Sequence, residues 1–221
     1  MGGMLEAITY YFQHSSSDFF LALWQHVLIA LIAVSSALIV AFPLGVLSAQ
    51  NKQLRSFVTG TFSALRVIPS LALLFLIVTL TGAVGFPVAV FALAILAIPV
   101  ILINTTVAFS QLPIATIEAA AALGLTPAQV FWQVKLPLAM PLIFAGLKTA
   151  TAEVIASATL AAFIGGGGLG TIIFTGLGLM RSDFLLIGGV SVAALSLAAA
   201  AILGLVERRV LLWKYLADVS K

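Results

Sequence analysis

Apolar residues fill five blocks along the chain, at about 20–49, 64–81, 86–109, 138–164 and 184–206, with polar or charged residues gathered between them. A helix needs about 20 apolar residues to cross a bilayer, and each block is close to that length. Continuous runs of this kind predict helices. A membrane barrel would instead show segments of about ten residues that alternate polar and apolar. The pattern predicts an all-α integral membrane protein with five transmembrane helices in one transmembrane domain covering 1–221, without an internal repeat. Pro43 and Gly45 lie near the end of the first block, and Arg66 and Pro69 open the second.

The longest polar interruption, 112–137, reads as two short helices with a break. Pro113 suits a first helical turn, and Ile114–Leu123 is rich in alanine, the best helix former. Gly124 fits a left-handed helix terminus. Thr126, Pro127 and Gln129 then form the signature of a new start: a threonine N-cap, a proline at the first position and a glutamine that completes a capping box. Val130, Phe131 and Val134 make an apolar stripe, and Leu136-Pro137 is expected to end this helix before the fourth span. Glu118 offers a carboxylate to a basic partner, while Ala119–Ala122 and Gly124 let another surface approach the backbone closely. A plain, well-capped connector would read the same way.

Composition excludes several classes. Only 8% of the 221 residues are charged and 62% are hydrophobic, against roughly a quarter charged in soluble domains. With no cysteine, disulfides, thiolate metal sites and cysteine nucleophiles are ruled out. His14 and His26 are the two histidines of the chain and read as ordinary histidines near a membrane surface. The net charge of +3 comes without a basic cluster interleaved with aromatics, so no nucleic-acid partner is expected. Lys52 is the first basic residue, which argues against a signal peptide.

Lysine and arginine collect in cytoplasmic loops. Lys52, Arg55 and Arg66 flank the first inter-span loop, Lys135 lies in the third, and Arg208, Arg209, Lys214 and Lys221 follow the fifth span. The other side holds only Arg181. The expected topology is N-terminus outside and C-terminus cytoplasmic, with 112–137 on the cytoplasmic face. Five spans are too few to enclose a path comfortably, so a dimer is inferred.

Glu118-Ala119-Ala120, Gly124, Val134, Leu136 and Pro137 keep the spacing EAA-x3-G-x9-I-x-L-P, with valine for isoleucine as the one departure. This resembles the signature of the permeases of ABC importers. The resemblance implies a type I importer fold on a five-span core, in which this loop is the coupling helix that docks on a separate ATPase. "LRVIPSLALL" (Leu65–Leu74) and "GLKTATAEVIASATLAAFIGGGGLGTIIFTGL" (Gly146–Leu177) are similar to permeases for glycine betaine, carnitine, choline and related osmoprotectants, with methionine-importer permeases more distant. The resemblance covers about Trp24–Arg208. It implies two ATPase subunits, a second permease that is identical or paralogous, an extracellular substrate-binding protein and a bacterial inner membrane as location. It also implies that ATP and magnesium stay on the ATPase, so this chain binds no cofactor and is not itself an enzyme. In keeping with that, no G-x-x-x-x-G-K-[ST] loop is present.

Gly165, Gly167 and Gly170 formally satisfy G-x-G-x-x-G, but a dinucleotide site requires a preceding strand, and here a span precedes. Gly165, Gly166, Gly167 and Gly168 are read as a close-packing turn at the outer end of the fourth span, either a plain loop or part of a gate. Lys148 and Glu153 lie inside that span, where ionisable groups face protein or water. Lys148 is placed to snorkel toward the cytoplasm, and Glu153 to face a dimer interface or the translocation path. Pro69, Pro99 and Pro141 interrupt helical hydrogen bonding and serve either as hinges or as packing features. Asn104 suits a hydrogen bond across helices or a substrate contact. Three alternatives remain: an ABC permease for an amino acid such as methionine, a stand-alone secondary transporter or channel using Glu153 for a coupling ion, and an intramembrane enzyme, for which no H-E-x-x-H or G-x-S-x-G motif is present.

Overall fold

The computed structural model describes residues 2–211, so Lys214 and Lys221 lie outside the described residues. In chain order the helices are α1 (Gly2–His14), α2 (Ser16–Ala49), α3 (Lys52–Leu65), α4 (Ser70–Thr81), α5 (Phe86–Ser110), α6 (Ile114–Ala122), α7 (Pro127–Val130), α8 (Leu136–Ala158), α9 (Gly170–Gly178) and α10 (Ser182–Val210). A π-helical turn (Phe131–Lys135) joins α7 to α8, and a 3₁₀ segment (Thr159–Ile164) completes α8. No strand occurs among the described residues.

Among the described residues four helices are long and apolar enough to cross a membrane: Ser16–Ala49, Phe86–Ser110, Pro127–Ile164 and Ser182–Val210. The second of the expected spans, at 64–81, falls on a pair, α3 and α4, bent by 90° at a short break, which makes five spans when the pair is counted as one broken span. Pro69 explains the break. Its ring disfavours helical geometry at Ile68, and Pro69 itself is extended, at φ −61° and ψ 137°, as the residue that starts α4. Arg66 accordingly caps the end of α3 instead of entering a span.

A second difference is the continuity of Pro127–Ile164, which runs for 38 residues without stopping at Leu136-Pro137. Proline lacks the N–H that the ladder needs and crowds the carbonyl four residues earlier. The preceding turn widens to accommodate it: Leu136 N–H bonds Phe131 O, five residues back. Arg208 and Arg209 sit in the last turn of α10 and not in a tail, where cations complement the helix dipole.

Contacts group the described residues into two compact units. One is drawn from Met1–Ala37, Ile68–Ala97 and Thr151–Ala199, the other from Leu38–Val67, Ile98–Ala150 and the described part of Ala200–Lys221. In the first, Tyr11, Ala22, Leu169, Ile172 and Ile187 form a buried cluster. Tyr11 meets Phe184 edge-on at 5.0 Å, and burial, with a smaller push from Asp18, raises the Tyr11 phenol above its usual range. In the second unit, Ala108, Ala139 and Ile143 pack with Phe42, Phe109 and Leu136.

Small residues set how closely the helices of the second unit approach. A Cβ added at Gly45 would lie 2.7 Å from Thr105 Cβ, and one at Gly146 only 2.5 Å from Asn104 Cβ. Close backbone approach of this kind replaces the hydrophobic effect as the source of association in lipid. Asn104 bonds Val100 O of its own helix at 2.8 Å, so it serves packing against Gly146 and makes no bond across helices.

Backbone crowding separates two glycine substitutions. A Cβ at Gly170 would lie 1.9 Å from the Thr159 carbonyl oxygen, whereas one at Gly60 in α3 meets nothing within 4 Å. Gly170→Ala should destabilise by about 3 kcal/mol, and Gly60→Ala should stabilise by about 0.5–1 kcal/mol through lower chain entropy in the unfolded state. Thermal unfolding of the detergent-solubilised protein measures both.

Candidate functional site

The loop between α5 and α8 adopts the helix–turn–helix that its caps dictate. At the end of α6, Gly124 takes the left-handed conformation with φ +85°. Its N–H bonds Ala121 O at 3.0 Å, and Leu125 N–H reaches back to Ala120 O at 3.3 Å. This paired closure satisfies carbonyls that the helix end leaves open, and a residue with a Cβ would be strained there. Two residues on, Thr126 caps α7: Gln129 N–H bonds Thr126 Oγ1, and Thr126 N–H bonds Gln129 Oε1 at 2.8 Å. Both halves of the capping box are present.

The signature residues divide by role. Glu118, Ala119 and Gly124 are exposed, as are Ala121 and Ala122, while Ala120 is buried. Val134, Leu136 and Pro137 are half-buried, and Leu136 joins the cluster around Ala139 and Ile143. The inward members thus hold the shape and the outward members present the surface. That surface is small-featured, with one carboxylate at Glu118. Leu123 (82% exposed), Ile114 (70%) and Trp132 (64%) add apolar area beside it. These three lie outside the signature spacing, and only their apolar character at loop positions signals them in the sequence.

The glycine-rich turn closes α8 differently. Gly165, Gly167 and Gly168 have φ of +73°, +80° and +87°. Gly166 packs where a Cβ would lie 2.9 Å from Ala89 Cβ, and Gly85 N–H bonds Ile164 O at 2.7 Å. Two side chains of α2 also fasten the turn. Gly168 N–H donates to Gln25 Oε1 at 3.1 Å, and Leu169 N–H donates to His26 Nδ1 at 3.2 Å. With Nδ1 accepting, the ring proton resides on Nε2, which donates to Ile155 O at 2.9 Å. His26 is therefore a fully buried, doubly bonded neutral ring, contrary to the expectation of an ordinary surface histidine. Its partners lie 129 and 143 residues away in sequence, a separation that no local pattern reveals.

The remaining candidates are placed as follows. Lys148 does not simply snorkel: its Nζ forms an ion pair with the Glu207 carboxylate of α10. Glu153 is half-buried on α8. Pro69 sits at the break between α3 and α4, whereas Pro99 and Pro141 lie within continuous helices. Arg181, outside the spans, is bidentate to Asp183, with Nε–Oδ1 at 3.1 Å. That hydrogen bonding raises the guanidinium above its already high ordinary range. No cluster of potential metal ligands occurs among the described residues.

Within the second unit, α3 and α5 border a cavity of about 590 Å³ lined by Lys52, Arg55, Ser56, Thr59, Ser110 and Gln111 together with Ile103 and Val107. Lys52, Arg55, Ser56 and Thr59 of α3 turn to this cavity, while Leu54, Phe57 and Leu65 of the same helix are exposed. An exposed apolar side on an amphipathic helix suits a surrounding of lipid.

A multi-span helical chain that carries a capped loop with the importer-permease spacing invites comparison with known permeases. The chain belongs to the family described as binding-protein-dependent transport system inner membrane component, whose model matches residues 41–212. It is 38% identical over 205 residues to the carnitine transport permease protein OpuCB of Listeria monocytogenes, covering 93% of this chain and 94% of that one. To the choline transport system permease protein OpuBB of Bacillus subtilis it is 36% identical over 202 residues, covering 91% and 93%. A glycine betaine/carnitine/choline transport system permease of Bacillus subtilis is 38% identical over 186 residues, covering 84% and 85%. Among solved structures, the fold resembles the inward-facing MetNI methionine ABC transporter, with TM-score 0.71 and 22% identity over 85% of this chain and 95% of that one. A second resemblance is to an amino acid ABC transporter, with TM-score 0.72 and 20% identity over 93% and 98%. The protein is thus a multi-pass permease of the ABC-importer class and not a catalytic subunit.

The ion pair between α8 and α10 is testable by a double-mutant cycle. Lys148→Met or Glu207→Leu alone leaves a half-buried charge unpaired and should cost about 1–2 kcal/mol, whereas the double variant should recover most of it. Chemical or thermal unfolding in detergent reads the cycle.

Proposed function

We propose that the chain is one of two permeases in an importer that takes up a small quaternary-ammonium osmoprotectant such as glycine betaine, carnitine or choline. The substrate class rests on the names of relatives that align over nearly the whole chain. A separate extracellular protein delivers the solute and two ATPase subunits supply the energy, so ATP and magnesium are bound elsewhere. The N-terminus lies outside and the C-terminus in the cytoplasm of a bacterial inner membrane, a topology that the placement of lysine and arginine supports.

The carrying observation is the outward face of α6. Exposed alanines and the left-handed Gly124 leave the backbone open to close contact, and Glu118 has no ion-pair partner among the described residues. Such a surface fits a groove with a basic residue at its rim. Movement of the ATPases is then passed to the spans through the continuous helix Pro127–Ile164. Pro69, at the break, and the turn Gly165–Gly168 are the places where the path opens and closes. Lys148, engaged by Glu207, serves as a pin between helices, and Glu153 faces the second permease or the path.

Two measurements test this reading. Replacing Glu118 by Arg together with Gly124 by Val should lower ATPase co-purification and solute uptake by about tenfold or more, as loss of a central contact does. Undiminished association and uptake would overturn the docking assignment. Glu153→Gln should reduce uptake or dimer recovery, and a variant with both intact would remove Glu153 from the path and the interface.

A further inference from the structure

The two halves of the glycine-rich turn are held differently: Gly165 and Gly166 N–H bond the backbone oxygens of Ala162 and Ala161 at 3.2 and 2.8 Å, whereas the second half is held by side chains. Gln25 and His26, adjacent on α2, take the peptide N–H groups of Gly168 and Leu169 in succession. The same imidazole reaches Ile155 O on α8 with its other nitrogen, so one ring ties three pieces of chain together. The fit is tight. A Cβ at Gly167 would lie 2.3 Å from Gln25 Oε1, and one at Gly168 would lie 3.1 Å from His26 Nδ1. The turn therefore follows these two side chains closely, and glycine is required at the contact as well as for the positive φ.

We infer that Gln25 and His26 are positioning residues of the transport path: their clasp on Gly168 and Leu169 sets the closed position of the glycine-rich turn. The inference rests on the permease reading for its consequence in transport, but the clasp itself stands on the contacts. Two side-chain-to-backbone hydrogen bonds are well suited to this task. They hold the peptide groups in register where water is excluded, and they exchange for water or substrate without unravelling a helix. A turn fastened by helix backbone would lack that freedom, and an unfastened one would leave buried N–H groups unpaired.

The histidine permits a discriminating test, because its two nitrogens have different short mimics. Asparagine places its oxygen two bonds from Cβ, as Nδ1 is, and keeps the acceptor for Leu169 N–H. Glutamine places its amide nitrogen three bonds from Cβ, as Nε2 is, and keeps only the donor to Ile155 O. Gln25→Met retains volume and loses the acceptor for Gly168 N–H.

The readouts are amide hydrogen exchange across Gly165–Thr171 in the assembled transporter in nanodiscs, and uptake into proteoliposomes carrying the ATPase with external binding protein. Gln25→Met and His26→Gln should each speed exchange at the turn and lower maximal uptake by about tenfold, the scale of one lost hydrogen bond. Half-saturation by the loaded binding protein should be unchanged. His26→Asn should keep slow exchange at Leu169 and most of the uptake. If His26→Asn and His26→Gln behave alike in both readouts, the histidine is only core packing and the inference fails. Faster exchange with unaltered uptake would also overturn it, by removing the turn from the path. Should the unmodified protein show no uptake of any quaternary ammonium, the substrate reading falls, while the order of exchange rates still decides the clasp.

Discussion

In hydrocarbon every backbone N–H and C=O must find a partner within the protein, because no water is available to take it. Wherever this chain stops being a regular helix, a local device therefore has to close the open groups. Each interruption uses a different one. Pro69 begins a new helix after an extended step. The π-helical turn before Pro137 keeps the ladder going by reaching one residue further back. The turn after Ile164 borrows Gln25 and His26, and outside the apolar blocks Gly124 and Leu125 close the end of α6 as helix ends exposed to water also do.

The same constraint makes these interruptions mechanically unlike the spans. A continuous helix has no spare backbone groups and little choice of shape, so it transmits motion without changing. A break closed by side chains or by a glycine cap has an alternative closure within reach and can serve as a joint or a docking point. The closures at Gly124 and after Ile164 are both of this kind. The buried clusters around Tyr11 and around Ala139 supply the fixed background against which they act.

Sequence reading recovers what is encoded locally. Four of the apolar blocks coincide with long apolar helices among the described residues, because lipid imposes one requirement on every residue of a run, whereas the block at 64–81 is divided by the break at Pro69. The caps at Gly124 and Thr126 are legible because each involves residues within five positions of one another. Continuity through Pro137 is not legible, since proline favours a stop and the compensating π-helical turn has no residue code of its own. The role of His26 is hidden for another reason: an isolated histidine in an apolar helix looks the same whether it meets lipid headgroups or a turn 143 residues later. Lys148 was visible as an anomaly, but its partner Glu207, 59 residues on, became identifiable only with the packing of α10 against α8.

The π-helical turn at Phe131–Lys135 has a consequence for angle. Leu136 N–H reaches Phe131 O, five residues back, so this turn carries one residue more than an α-helical turn. Each residue of an α-helix turns the chain by about 100°. Loss of that single residue would swing the capped start at Thr126 by roughly a quarter turn about the axis of the helix that follows, so the facing of the loop is a matter of residue count as much as of residue type.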